Sequence, residues 1–367
     1  MKNKQKLLIL GKLPPPYMGP SIAFEILINS GLKNVYDLSY LDVKANESLS
    51  TLGQFSLKKI FRNLSIYSKL ISSLRKNQPD IVLIPISQAT IGYLKDSMFL
   101  IICFLLRKRV MIQLRGSDFK RWINSASFLT RWYVKLTLKI PEGVIVLGNN
   151  LRHLFESYFS SDRIFVVPNG GNYQVPDHVY HSNQVVNIIY LANLQPSKGI
   201  EDVIDALVLL QQKIPGKFRM DIIGEWRKPA TKEKCLKLID EFHLPVTFYS
   251  SSVSRNKFDY LAKSDIFVFT PREPEGHPWV IVEAMASGLP VISTDQGAII
   301  ESVIDKENGF IVPTHAPDVI AEKLHLLITD HGLRERMGRK SREYYLNKFT
   351  ETKMVQNFSD AFNAVIK

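Results

Sequence analysis

The sequence predicts an α/β protein built from two doubly wound domains, and three observations predict it. Short runs of apolar, often β-branched residues alternate with longer segments of helical spacing, the pattern of parallel strands covered on both faces. The series breaks at a polar stretch, residues 172–184, and then restarts. A length of 367 residues accommodates two domains of ~100–200 residues, each with its own core.

The elements follow in order. Residues 7–10 form the first strand; four apolar residues before Gly11 are too few for the apolar region of a signal peptide. A proline-rich loop, residues 11–20, then opens onto a helix with Ser21 as its cap and Glu25 near its first turn. Such a loop presents free N–H groups and a positive dipole end to an anion. Helical spacing at residues 57–74 and 151–159 separates strands at 81–84, 110–114, 144–147 and 164–167. The longest apolar run, residues 98–106, is far short of the ~20 needed to span a bilayer and reads as a buried helix. After the turn Pro168-Asn169-Gly170-Gly171, strands recur at 186–191, 220–223, 246–248, 266–269, 291–293 and 310–312. Amphipathic helices close the chain from Arg334 onward. The expected division is residues 1–178, residues 179–345, and a last helix at 346–367 that packs back toward the first domain.

Composition narrows the function classes. Apolar residues at 45% and charged residues at 22% exclude a disordered or fibrous chain. Cys103 and Cys235 lie too far apart to organise a disulfide framework or a Cys-based zinc site, which suits a cytoplasmic protein. The net charge of +12 is uneven: residues 1–180 hold 24 Lys+Arg against 11 Asp+Glu, and the remainder is near balance. One domain is therefore expected to face a polyanion.

Three loops carry the candidate chemistry, each after a strand, where open α/β sheets bind ligands. The first holds Gly19 and is neither a dinucleotide fingerprint nor a phosphate loop of the NTPases. The second, residues 194–199, places Lys198 before a helix start, where a compact cation suits a diphosphate leaving group. The third runs from Phe269 to Ile292. It sets Glu275 and Gly276 in a loop, Pro278 at a helix start and Glu283 on that helix. A carboxylate accepting from adjacent hydroxyls is a common way to hold a ribose. No D-x-D and no metal-ligand spacing occurs, and His178 and His181 fall in the linker.

The stretch from Glu275 to Gly288, with Pro290-Val291-Ile292, resembles the E-x7-E motif of retaining glycosyltransferases of the GT-B fold, and most closely glycosyltransferase family 4. Residues 166–170, 190–199, 265–268 and 308–312 resemble further segments of that family in the same order. The resemblance implies a metal-independent transfer from a nucleotide-sugar, UDP-linked by family frequency with GDP-mannose open, and no cofactor. It implies Glu283 on the ribose, Glu275 on the donor sugar, and Lys198 on the departing phosphate, with Glu275 and Lys198 as the catalytic pair. Donor contacts are expected from Gly19, Asn193, Gly224 and the amides of Gly276, His277, Pro278 and Trp279; His277 is either a donor contact or a loop-packing residue. Two departures stand out: Asn193 replaces a family Arg, and Arg115 falls near a family His. Arg115 or Arg272 is then the candidate second cation, on phosphate or sugar.

The basic first half carries Lys58, Lys59 and Arg62, then Lys120, Arg121, Trp122, Arg131 and Trp132. Basic residues interleaved with aromatics suit an anionic membrane surface rather than nucleic acid. The combined expectation is a cytoplasmic transferase, peripheral on the inner face of the membrane, acting on a lipid-linked saccharide in surface polysaccharide synthesis. The alternatives are a nucleotide-sugar epimerase or soluble sugar-phosphate synthase of the same fold, and a non-enzymatic membrane or polyanion module. Oligomeric state is not legible.

Overall fold

A computed structural model describes residues 4–15, 19–44, 57–175, 185–250 and 257–366; side chains of 57–63 lie outside that description. Lys58, Lys59, Arg62, His178 and His181 therefore fall outside the described side chains or residues. The chain forms two compact units, residues 1–171 with 351–367, and residues 172–350. The second unit thus begins earlier and ends later than 179–345.

The first unit has one parallel sheet. Its strands are β1 (Lys6–Gly11), β2 (Asp37–Asp42), β3 (Ile81–Ile86), β4 (Arg109–Leu114), β5 (Gly143–Val146) and β6 (Ile164–Val166), in the order β2-β1-β3-β4-β5-β6. Its helices are α1 (Gly19–Asn29), α2 (Leu32–Val35), α3 (Leu57–Asn77), α4 (Thr90–Leu105), α5 (Phe119–Ser125) and α6 (Phe128–Thr137). Strands β3 and β4 are almost wholly buried, as a sheet covered on both faces requires.

Three details depart from expectation. Strand β2 has no apolar run: its Asp37, Ser39 and Asp42 suit a half-buried edge. Helix α1 begins at Gly19, so Ser21 is buried inside the helix rather than capping it. Residues 151–159 form no α-helix. Bonds such as Leu151 N to Gly148 O (3.1 Å) and Phe155 N to Arg152 O (3.0 Å) tighten the stretch into a 3-10 turn over Asn149–Leu154.

The second unit repeats the architecture. Its strands are β7 (Val186–Leu191), β8 (Phe218–Ile223), β9 (Val246–Tyr249), β10 (Ile266–Phe269), β11 (Val291–Ser293) and β12 (Gly309–Ile311), in the order β12-β11-β10-β7-β8-β9. Its helices are α7 (Ile200–Lys213), α8 (Pro229–Glu241), α9 (Lys257–Ala262), α10 (Trp279–Ala286), α11 (Pro317–Thr329) and α12 (His331–Lys348). Ile188, Ile204, Leu207, Phe267, Ile281 and Leu324 are fully buried in one core. The last helix, α13 (Glu351–Ile366), belongs to the first unit: Glu351 accepts the Gly31 N–H at 3.0 Å, and Phe362 meets Tyr36 edge-on at 5.7 Å.

In each sheet the chain leaves a central strand in both directions. That puts a topological switch between β1 and β3 in the first unit and between β7 and β10 in the second. Ligands of open α/β sheets sit beyond the carboxyl ends of strands at such points.

Candidate active site

The switch point of the second unit gathers most of the motif residues. After β7 the chain runs through Asn193 to Lys198; after β10 it runs through Thr270 and Arg272 to Glu275. The two loops are sewn together by a hydrogen bond from Arg272 N to Ser197 O (3.0 Å). Gly199 ends the first loop at φ +76°, where a Cβ would lie 1.8 Å from Thr270 O, so only glycine lets the loops approach this closely. The result is an ion pair between Lys198 Nζ and Glu275 Oε1, both partly exposed.

The Glu275 loop is itself held from beneath. Ala298 N donates to Gly276 O at 2.8 Å, and a Cβ on Gly297 would lie 1.7 Å from Glu275 O. His277 is 3% exposed, bonded to Ser302 Oγ and stacked on Phe349 at 5.2 Å. These contacts show the His277 ring packed within the loop's own unit. Pro278 ends the loop and Trp279, itself buried, begins α10.

Glu283 lies on α10, 3% exposed. Its Oε1 accepts from Lys257 Nζ at 2.6 Å, while its Oε2 is buried with no hydrogen-bond partner among the described residues. A buried carboxylate oxygen without a donor costs about 1–3 kcal/mol, so a ligand hydroxyl there would be favoured. The Tyr173 hydroxyl is also buried and without a partner; burial first, and then Glu283, push it well above its ordinary value.

Of the two candidate second cations, Arg115 lies in the first unit and Arg272 is engaged within the second. Arg272 is consumed by two carboxylates, with Nε and Nη2 on Asp202 (2.7 and 2.6 Å) and Nη1 on Glu201 (3.1 Å). Its hydrogen bonds to Asp202 raise its pKa further. It clamps the β10 loop to α7 and offers no free face to a phosphate. Arg227 lies beside Asn193, whose Oδ1 accepts from its Nε (3.1 Å) and Nη2 (2.8 Å). Leu194 N to Glu225 O and Arg227 N to Leu194 O fasten its loop to the one after β7. Gly224 makes that junction possible, since a Cβ would sit 1.9 Å from Ala192 O.

Sequence reasoning missed Arg227, Lys257, Tyr173 and Gly297, which lie outside the motif loops. Two residues it did name, Gly19 and Arg115, belong to the first unit. Trp122, expected at the surface, is partly buried, donating to Thr90 Oγ1 at 3.1 Å and packing on Tyr93 and Phe119. Among the described residues no group of three His, Cys, Asp or Glu side chains could hold a metal ion. None of the described helices is long and apolar enough to cross a membrane.

The comparisons with known proteins bear on the fold and the family. Anabaena HepE in complex with UDP superposes with a TM-score of 0.75 at 18% identity, over 98% of this chain and all of that one. Sucrose-phosphate synthase of Thermosynechococcus elongatus gives 0.75 at 16%, over 98% of each. The fold is GT-B. Residues 181–344 match the family model described as glycosyl transferases group 1. The capsular polysaccharide biosynthesis glycosyltransferase CapM of Staphylococcus aureus is 24% identical over 84% of this chain and 83% of its own. An uncharacterized glycosyltransferase of Methanocaldococcus jannaschii is 26% identical over 67% of this chain, and the match covers 65% of that protein. Together these matches support a GT-B glycosyltransferase. The group 1 match spans the Lys198, Glu275 and Glu283 positions.

Proposed function

We propose that the chain is a retaining, metal-independent glycosyltransferase of family 4, moving a sugar from a nucleotide-sugar to a lipid-linked saccharide in surface polysaccharide synthesis. The observation that carries the reading is the pairing at one strand switch of Lys198 with Glu275, beside a buried Glu283 whose Oε2 awaits a donor. In the ligand-bound enzyme Glu283 would accept ribose hydroxyls. Lys198, with Arg227, would neutralise the diphosphate as the bond from the sugar's anomeric carbon to the phosphate oxygen breaks. Glu275 would then hold the donor sugar. UDP is the favoured base: HepE was solved with UDP and with UDP-glucose.

The membrane side of the proposal rests on exposed apolar side chains. Phe128, Leu129, Trp132 and Leu136 of α6 are 72%, 73%, 57% and 49% exposed, and Ile91, Leu94 and Met98 form an exposed stripe on the neighbouring α4. Arg131 and Lys135 flank the α6 stripe, and Lys120 and Arg121 precede it. An anionic leaflet on the cytoplasmic face suits both features.

The test is release of nucleotide from a panel of UDP- and GDP-sugars, with and without membrane lipid extract and with and without EDTA. Lipid-dependent release that survives EDTA, with the donor's anomeric configuration kept in the product, is expected. No turnover of any donor would overturn the reading.

A further inference from the structure

A cavity in the first unit lies at the other strand switch. It holds about 360 Å³, within the range of small-ligand sites. Its floor is the carboxyl ends of β1, β3 and β4, and its walls are apolar: Phe24 and Leu27 from α1, Phe99 from α4, with Val43, Leu83 and Ile86.

One end of the cavity is different. Arg115 reaches it from the end of β4, and its guanidinium is bonded only to neutral amides, Gln113 Oε1 at 3.0 Å and Asn169 Oδ1 at 2.6 Å. Among the described residues no carboxylate lies within ion-pair reach of it, and burial alone pushes its pKa down to about 10. Gln113, 3% exposed and also lining the cavity, leaves its Nε2 without a partner; the Ser117 hydroxyl close by is buried and unpartnered too. Lys12 and Lys95 line the same space. The one carboxylate among the described residues that line it, Asp96, is occupied by Ser87 N (2.9 Å), Ser87 Oγ (2.6 Å) and Lys95 (3.3 Å). Among the described residues, Lys12 and Arg115 thus make no ion pair, and they stand beside the unpartnered donors of Gln113 and Ser117. A buried cation without a counter-charge is costly, and an anion supplied by a ligand would relieve it.

We propose that this cavity is a binding site for an alkyl or isoprenoid phosphate monoester, its phosphate on Arg115, Gln113 and Lys12 and its hydrocarbon against Phe24, Leu27, Val43 and Phe99. The two unpaired cations match a dianionic head, and the apolar walls reject a free sugar or a bare ion. The proposal is one of binding and stands without the transferase reading above.

The test therefore measures binding alone, with the full chain and no nucleotide-sugar. Citronellyl monophosphate, titrated calorimetrically as monomer, is expected to bind one to one, at least tenfold more tightly than citronellol or inorganic phosphate. Arg115→Gln removes the buried charge and is expected to fold, which its melting temperature checks, while losing at least tenfold in affinity. Lys12→Ala, at an exposed residue, is expected to lose several-fold and gives a second reading if Arg115→Gln fails to fold. A parallel arm presents dodecyl phosphate in phosphatidylcholine vesicles: binding there alone assigns a lipid source, and binding in both arms shows that a soluble ester suffices. Binding in neither arm, equal binding of inorganic phosphate or citronellol, or unchanged affinity in both variants overturns the proposal. Donor turnover with no citronellyl phosphate binding would discard this site and leave the transferase reading standing.

Discussion

Lys198 and Glu275, 77 positions apart, are ion-paired at the carboxyl ends of β7 and β10. A diphosphate arriving at Lys198 must compete with that carboxylate. Glu275→Gln is therefore expected to tighten binding of UDP alone by roughly threefold to tenfold, about 1 kcal/mol for a partly exposed charged pair. The same change should reduce sugar transfer at least ~100-fold, because a neutral amide replaces the charged carboxylate beside the donor sugar. Calorimetry with UDP and a transfer assay read the two effects separately. Weaker UDP binding by Glu275→Gln would refute the competition.

Glu283 makes a different prediction, because its Oε2 is buried and unpartnered while its Oε1 holds Lys257. Glu283→Gln keeps the shape and removes the charge. If Oε2 receives ribose hydroxyls, UDP affinity should fall by about 1.5–3 kcal/mol, the worth of hydrogen bonds to a charged group. Inorganic diphosphate, which has no ribose, should bind the variant and the parent alike. Equal losses for both ligands would move Glu283 from the ribose to a purely structural role.

Arg227 and Asn193 form a unit in which the amide aims the guanidinium. Arg227→Ala is expected to weaken nucleotide-sugar binding by about 1–2 kcal/mol, as loss of one exposed cation on a diphosphate would. Asn193→Ala should show a smaller loss, and the double variant should be no worse than Arg227→Ala. Independent, additive losses would mean that Asn193 touches the donor itself.

Much of the second unit is legible in the sequence because its strands are buried on both faces and announce themselves as continuous apolar runs. Strand β2 escapes because an edge strand needs no such run, and Asp37, Ser39 and Asp42 disguise it as loop. The site is legible where chemistry and backbone demand coincide, as at Lys198-Gly199 and Glu275-Gly276. It is illegible where a role passes through another residue. Nothing local to Arg227 or Lys257 signals a partner in another loop, and Arg272 reads as a free cation until Asp202 and Glu201 of α7 are seen around it. Trp122 shows the same limit: alternation of basic and aromatic residues looks interfacial, yet Trp132 faces outward on α6 while Trp122 packs on Tyr93.

Gly199 and Gly216 separate backbone strain from crowding. Both have positive φ, +76° and +72°, but a Cβ at Gly199 meets Thr270 O at 1.8 Å, whereas Gly216 faces open space. Gly216→Ala should cost about 1–2 kcal/mol, the left-handed penalty alone. Gly199→Ala should cost more than that and also abolish transfer, because the β7 and β10 loops must part and the Lys198–Glu275 pair with them. Thermal melts and a transfer assay on the two variants check this; equal destabilisation would show that the loop junction yields easily.

The exposed faces of α4 and α6 give the last prediction. The full chain should bind vesicles containing an anionic lipid, with a blue shift of Trp emission that disappears in Trp132→Ser, since Trp132 is 57% exposed on the α6 stripe. Phe128→Ser with Leu129→Ser should weaken vesicle binding at least tenfold, as buried apolar area of this size contributes about 1.5–3 kcal/mol per side chain. Each nearby Lys or Arg adds about 1 kcal/mol at an anionic surface. Raising ionic strength to about 1 M, where the Debye length is about 3 Å, should therefore detach the chain from vesicles. UDP, held by a few groups in direct contact at the second unit's strand switch, should lose far less affinity in the same salt. Equal sensitivity of the two would mean that the +13 balance of residues 1–180 acts on the donor as much as on the membrane, and the assignment of the basic half to the leaflet would fail.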